Sequence, residues 1–85
     1  MDYFVYILKN NNGRHYIGIT TDPARRLIEH NKGNTKSTRP FKPWKVIYLE
    51  KYTDRSQACK REWYLKHPIG YKEKLEIIYK HGGVA

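Results

Sequence analysis

The apolar positions of this chain fall into three short strand-like runs and three helix-like runs, in the order β-β-α-β-α-α. Residues 3 to 9 and 14 to 20 are rich in Tyr, Val, Ile and Phe, and they flank Asn10-Asn11-Asn12-Gly13, which predicts a β-hairpin. Two loop lengths compete. A two-residue Asn12-Gly13 turn would pair residues whose numbers sum to 25, placing Tyr6 and Tyr16 on opposite faces and dividing the aliphatic residues between them. A three-residue Asn11-Asn12-Gly13 loop, with Gly13 left-handed, makes the sum 24 and sets Val5 opposite Ile19 and Ile7 opposite Ile17. One face is then wholly aliphatic, and that match selects the second register. The other face carries Tyr6 opposite Gly18 and Leu8 opposite Tyr16, with room beside Tyr6 where Gly18 has no side chain.

Thr21-Asp22-Pro23 predicts a helix start, with Asp22 as N-cap, Pro23 in the first turn and Gly33 as the stop, so that the helix spans about 23 to 32. Ala24, Leu27 and Ile28 form its expected apolar stripe, and Arg26 and His30 share a face four residues apart. Residues 33 to 43 read as a basic loop without regular pattern, carrying Lys36, Arg39 and Lys42. Trp44 to Tyr52 reads as a third strand, with Val46 and Tyr48 on one side and Ile47 and Leu49 on the other. Strand one is also apolar on both faces, which places it in the middle of an antiparallel sheet ordered 2-1-3. Asp54 caps a second helix of about 55 to 66, supported by Gln57 and ended by Pro68. A last helix of about 71 to 80 places Tyr71, Leu75 and Ile78 on one stripe, and Gly82-Gly83-Val84-Ala85 is expected to fray. The expected architecture is a single α+β domain over residues 1 to 85, with its core in about 3 to 67.

Composition narrows the partners more than the chemistry. With 85 residues, 39% of them hydrophobic, the chain has room for one core, burying roughly 60% of the surface of its unfolded form. Seventeen Lys and Arg against eight acids give a net charge of +9, which favours a polyanionic partner and salt-sensitive association. Nucleic-acid binders, ribosome-associated proteins and heparin-like ligands all suit that charge. Cys59 is the only cysteine, so no intramolecular disulfide forms and a cytoplasmic setting is expected. The apolar run Tyr3 to Leu8 is too short for a signal-peptide core or a membrane span. There is no glycine-rich phosphate loop and no serine nucleophile elbow, and the four histidines are scattered without a zinc spacing.

Glu62 is the acid that the pattern does not absorb. It lies four residues after Ala58, three after Cys59 and three before Leu65, inside the apolar stripe of its helix. A carboxylate there must be paired or bind a cation, and Lys66, four residues on, is the competing partner. Tyr6 and Tyr16 singly are ordinary β-formers, and Arg26 with His30 singly reads as a solvated helix face.

As a set these residues resemble the GIY-YIG endonuclease superfamily, in particular its small stand-alone bacterial members. Phe4-Val5-Tyr6 keeps only the tyrosine of the first motif, whereas Tyr16-Ile17-Gly18 is a literal second motif. Arg26 stands where the family has an arginine in its first helix, His30 follows one turn later, and Glu62 matches the metal-binding glutamate of a later helix. Phe4 replaces a motif glycine, Ile19 replaces a lysine common after the second motif, and residues 66 to 80 lack the asparagine that many members place after the glutamate.

The resemblance implies a metal-dependent DNA endonuclease with Tyr6 as general base. By chemical suitability, Glu62 would hold one Mg²⁺ or Mn²⁺, Arg26 would bond a non-bridging phosphate oxygen, and Tyr16 would orient water or phosphate. His30 is the rival base, because its ordinary pKa lies nearer neutrality. DNA would be met by Lys36, Arg39 and Lys42 on phosphates, with Trp44 or Phe41 offered to an unpaired base. Such contacts do not read sequence, so preference for a branched or flapped shape, a setting in DNA repair, or reliance on a partner protein is expected. The alternative is a non-catalytic nucleic-acid-binding or adaptor domain that keeps the fold without the helper groups.

Overall fold

Gly13, at φ +83°, closes the hairpin in the left-handed conformation that a three-residue loop requires. The Asn10 N–H donates to the Arg14 carbonyl at 3.0 Å, and the Asn10 side-chain oxygen accepts from the Asn12 and Arg14 amides at 3.0 and 2.8 Å. In the computed structural model, which describes residues 1 to 83, β1 (Tyr3–Asn10) therefore pairs antiparallel with β2 (His15–Thr20) in the predicted register, with Val5 opposite Ile19, Tyr6 opposite Gly18 and Ile7 opposite Ile17. The third strand, β3 (Trp44–Tyr52), pairs with the other edge of β1, giving the order β2-β1-β3.

The faces of β3 differ from expectation. Ile7 pairs with Tyr48 but Leu8 pairs with Val46, so Ile47 is an extra residue in a β-bulge. The bulge breaks the alternation: Ile47 and Tyr48 both pack with Val5 and Ile7, whereas Val46 packs with Leu8 on the opposite face. Val46 and Tyr48 do not share a side.

Three helices cover the two faces. The first, α1 (Pro23–Asn31), is capped by Asp22, whose carboxylate accepts the Arg25 amide at 3.1 Å, and is stopped by Gly33 at φ +84°. The second, α2 (Arg55–Lys66), is capped by Asp54, which accepts the Ser56 amide at 2.8 Å. The third, α3 (Tyr71–Ile78), follows a 3₁₀ turn over Pro68–Gly70 and continues into a π-type turn over Tyr79–Gly83. Of the segment expected to fray, Gly82 and Gly83 belong to that turn, while Val84 and Ala85 lie outside the described residues. No helix among the described residues is long and apolar enough to cross a membrane.

Val5, Ile7 and Ile17 form one core with Ala58, Leu65 and Ile78. Tyr6, Leu8 and Trp44 form a second on the other face, against Leu27, Tyr16, Phe41 and Val46. Two predicted stripes are corrected by this packing. In α1 only Leu27 of the expected trio reaches the core; Ala24 and Ile28 are exposed, and the buried residue is His30. In α3 only Ile78 of the expected stripe is buried, with Ile77 beside it, because the helix meets the core through its last turn and leaves Tyr71 and Leu75 in solvent.

An ionic network fastens the α2 side. The Arg61 guanidinium donates to both oxygens of Glu50 at 2.8 and 2.9 Å and also to Glu73, while the Tyr48 and Tyr52 hydroxyls donate to Glu50. Burial alone would raise the Glu50 carboxyl, but Arg61 and the two phenols hold it below the usual carboxylate value. The loop before β3 contains a short 3₁₀ turn, Arg39–Phe41, and is fixed at its end by Asn31, which donates to the Trp44 carbonyl at 3.0 Å and accepts the Trp44 amide at 2.6 Å.

Candidate active site

Tyr6 projects from the central strand over Gly18, where any Cβ would stand 2.9 Å from Tyr6 Cε1 and closer still to its hydroxyl. The hydroxyl lies 2.9 Å from His30 Nε2, on the last turn of α1, and His30 Nδ1 lies 2.8 Å from Thr38 Oγ1 in the following loop. Thr38 in turn donates to the Thr35 carbonyl at 3.4 Å. Arg26, one turn before His30, also reaches the Tyr6 hydroxyl. A carbonyl only accepts, so the Thr38 hydroxyl hydrogen goes to Thr35, and that end sets the direction of the hydrogens before it. Tyr6 donates to Nε2, Nδ1–H donates to Thr38, and Thr38 donates to Thr35.

Tyr16 and His30 stack edge to face at 5.0 Å, and the Tyr6 and Tyr16 ring centres are 6.3 Å apart, so both phenols occupy one surface. From α2 the Glu62 side chain, 21% exposed, lies near enough to Tyr6 to raise its pKa. Its partner is Lys66 at 3.1 Å, the competing pair that the spacing predicts, and the Lys66 ammonium also stands 5.7 Å from the Tyr16 ring centre. Arg26 is bonded to Glu29 at 3.0 Å, so a phosphate would compete with that carboxylate for the guanidinium. Of the five predicted residues, Tyr6, Tyr16, Arg26 and His30 are drawn together by β1, β2 and α1, and Glu62 of α2 is linked to them through Lys66, which stands beside Tyr16.

The electrostatics change the assignment of roles. Burial pushes the Tyr6 phenol up to about 12, and the opposing pull of Arg26 does not reverse it. Burial, reinforced by Arg26, holds the His30 imidazole below its usual 6.5, so it is neutral at neutral pH. His30 is fully buried, and its Nε2 meets the Tyr6 hydroxyl. The raised phenol and the lowered imidazole both oppose prior transfer of the phenol proton to His30. Tyr6 is therefore a phenol at rest.

One partly buried carboxylate suits a hard cation that keeps most of its waters and takes its remaining ligands from phosphate oxygens, provided that Lys66 yields. Among the described residues no group of three or more His, Cys, Asp or Glu side chains converges. Glu62 is thus the position that would hold Mg²⁺ or Mn²⁺.

The predicted DNA contacts separate into two groups. Lys36, Arg39 and Lys42 are exposed on the loop after α1, with Arg39 Nε held on the Gly33 carbonyl at 2.7 Å. Trp44 is 5% exposed and its indole N–H donates to the Thr38 carbonyl at 3.0 Å, which corrects its assignment to base stacking: the ring is buried in the second core. Phe41 is covered by the Arg14 guanidinium, 3.9 Å from its centre. These side chains instead line a cavity of about 190 Å³ beside Tyr16 and Thr38. Sequence reasoning missed Thr38, for which a threonine in a polar loop gives no signal, and Glu29, whose reach to Arg26 three residues earlier was readable from spacing.

The family model described as the GIY-YIG catalytic domain matches residues 2–75. A UPF0213 protein of Staphylococcus epidermidis is 43% identical over 77 residues, covering 89% of this chain and 93% of that protein. A UPF0213 protein of Listeria welshimeri is 47% identical over 62 residues, covering 72% of this chain and 69% of the relative. Among solved structures, the solution structure of a UPF0213 protein from Bacillus halodurans aligns with a TM-score of 0.59 at 31% identity, covering 98% of this chain and 89% of that one. A solution structure of a protein from E. faecalis aligns with a TM-score of 0.57 at 36% identity, covering 100% of this chain and 94% of that one.

Proposed function

This chain belongs to the GIY-YIG family, alongside its UPF0213 homologues, and on that premise we propose that it is a divalent-metal-dependent endonuclease acting on DNA by shape rather than sequence. The observation that carries the reading is the hydrogen bond between Tyr6 and His30, with Arg26 and Glu62 close enough to act on the Tyr6 phenol and the Tyr16 ring centre 6.3 Å from that of Tyr6. Arg26 holds a non-bridging oxygen of the scissile phosphate. The attacking water gives a proton to the Tyr6 oxygen as the Tyr6 proton passes to His30 Nε2, so the phenol relays a proton without standing as a phenolate. The water oxygen bonds to phosphorus, the bond to the leaving oxygen breaks, and the leaving oxygen takes a proton from solvent. His30, now charged and still bonded to Thr38, returns its proton through Tyr6. A divalent cation on Glu62, when bound, polarises the phosphate and offsets charge on the leaving oxygen.

One observation favours a second reading, a DNA-binding domain without catalysis: Lys66 already neutralises Glu62, and Ile19 stands where many members have a cationic helper. Purified protein incubated with labelled branched, flapped and linear DNA in Mg²⁺ or Mn²⁺, beside Glu62→Ala and Tyr6→Phe, separates the two. Cleavage by the parent that both variants lose, with binding intact, supports the enzyme. Binding without parental cleavage on every shape supports the second reading.

A further inference from the structure

The two tryptophans have exchanged the environments that their positions suggest. Trp44, beside the basic loop, is buried, whereas Trp63, next to Glu62 on α2, is 55% exposed. Its indole lies flat on the His67 imidazole, with ring centres 4.1 Å apart and planes 19° apart. His67 Nδ1 donates to the Trp63 carbonyl at 2.6 Å, so ring and support are fixed within one helical turn. Lys60 and Lys66, both exposed, stand three residues before and after the indole and flank it along the helix. Successive helical residues turn by roughly 100°, which puts this face next to the one bearing Glu62. Lys66 links the two, with its ammonium 3.1 Å from Glu62 and 5.7 Å from the Tyr16 ring centre.

A half-exposed indole forgoes apolar burial, and one stacked on an imidazole with exposed lysines three residues before and after it has the chemistry of a surface that stacks a base while cations meet the flanking phosphates. Duplex DNA hides its base faces; an unpaired strand presents them. We propose that Trp63, backed by His67 and flanked by Lys60 and Lys66, is a stacking platform for an unpaired base of the nucleic-acid strand that runs past Glu62. The inference rests on the reading of Glu62 as the place of the scissile phosphate, and it deepens that reading by naming a single-stranded segment as the feature recognised.

The test is binding of a labelled oligothymidine to the full chain without divalent metal, followed by anisotropy and tryptophan emission, with a duplex of equal length in parallel. The parent should show quenched emission. Trp63→Ala, at an exposed position, should abolish the quench and weaken single-strand binding roughly 5- to 150-fold, Trp63→Phe should retain most of the affinity, and duplex binding should be unchanged in both. Trp44→Phe should keep the quench, assigning it to Trp63. Single-strand affinity untouched in Trp63→Ala, or duplex affinity falling equally, overturns the platform and leaves a protein partner or a bare surface as the use of this face. The assay contains no divalent metal and reads binding alone, so an absence of cleavage and an absence of stacking are read separately.

Discussion

Tyr6 lies across Gly18 so closely that no side chain fits between the central strand and its neighbour at that point. The glycine of the second motif is therefore a packing requirement of the tyrosine of the first. A methyl group at residue 18 must move either the phenol or the strand, since the contact is with a ring held at its far end by His30. Gly18→Ala is expected to lower stability by about 1–3 kcal/mol, as overpacking does, and to reduce DNA cleavage at least tenfold by displacing the hydroxyl. Thermal denaturation and a single-turnover cleavage assay check both effects.

Thr38 fixes the tautomer of His30. Its hydroxyl accepts the Nδ1 hydrogen, which leaves Nε2 free to accept from Tyr6. Thr38→Val keeps the shape but strands a buried N–H, at a cost of about 1–3 kcal/mol, and should slow cleavage with little change in DNA binding; Thr38→Ser should restore both. Nitrogen-15 spectra of the imidazole should report hydrogen on Nδ1 in the parent and in Thr38→Ser, and a shifted population in Thr38→Val.

The depressed pKa of His30 sets a pH window. The unfolded chain binds a proton at this residue near 6.5, whereas the folded chain resists it until lower pH, so between those limits the unfolded state holds more protons and stability falls as the solution is acidified. Cleavage should fall in the same direction, because a charged imidazole cannot accept from Tyr6. His30→Gln is expected to flatten the stability slope in this window while leaving the separate loss at lower pH, where Glu50 and Glu73, both held below the usual carboxylate value, become protonated. Denaturant melts at several pH values measure the difference.

Lys66 stands 3.1 Å from Glu62, where it would compete with a cation on the proposed reading. Lys66→Ala should lower the Mg²⁺ concentration needed for half-maximal cleavage by about two- to fivefold, the scale of a partly exposed ion pair. Chelator should abolish cleavage in parent and variant alike. Titration of metal against initial rate provides the measurement, and an unchanged requirement would mean that the pair does not stand in the metal's place.

Arg61 bridges two carboxylates with one planar group. Arg61→Ala leaves Glu50 partly buried without its cation and is expected to cost about 2–4 kcal/mol, while Arg61→Lys should recover only part, since an ammonium cannot bond both Glu50 oxygens side by side. The midpoint of urea unfolding checks this without reference to activity.

Local chemistry set much of this molecule. Gly13 and the aliphatic match of Val5, Ile7, Ile17 and Ile19 fixed the hairpin register, because a slip of one residue would turn each side chain to the wrong face. Asp22, Asp54 and Gly33 set helix ends within a residue or so, since caps act on the turn they belong to. The register in turn put Tyr6 and Tyr16 on one surface, and the apolar neighbours of Glu62 in its helix marked it as an acid needing a partner.

What the sequence could not carry depends on contacts between distant segments. Which face of α1 is buried was settled by the sheet beneath it, so His30 went inward and Ile28 outward against the apparent stripe. The bulge at Ile47 arose from pairing with β1, which no alternation within β3 announces. Which tryptophan is buried turned on the loop, whose Thr38 carbonyl accepts the Trp44 indole N–H. Periodicity and capping are written into neighbours a few residues apart, whereas burial, hydrogen direction and the partner of Thr38 exist only once elements 8 to 24 residues apart have packed together.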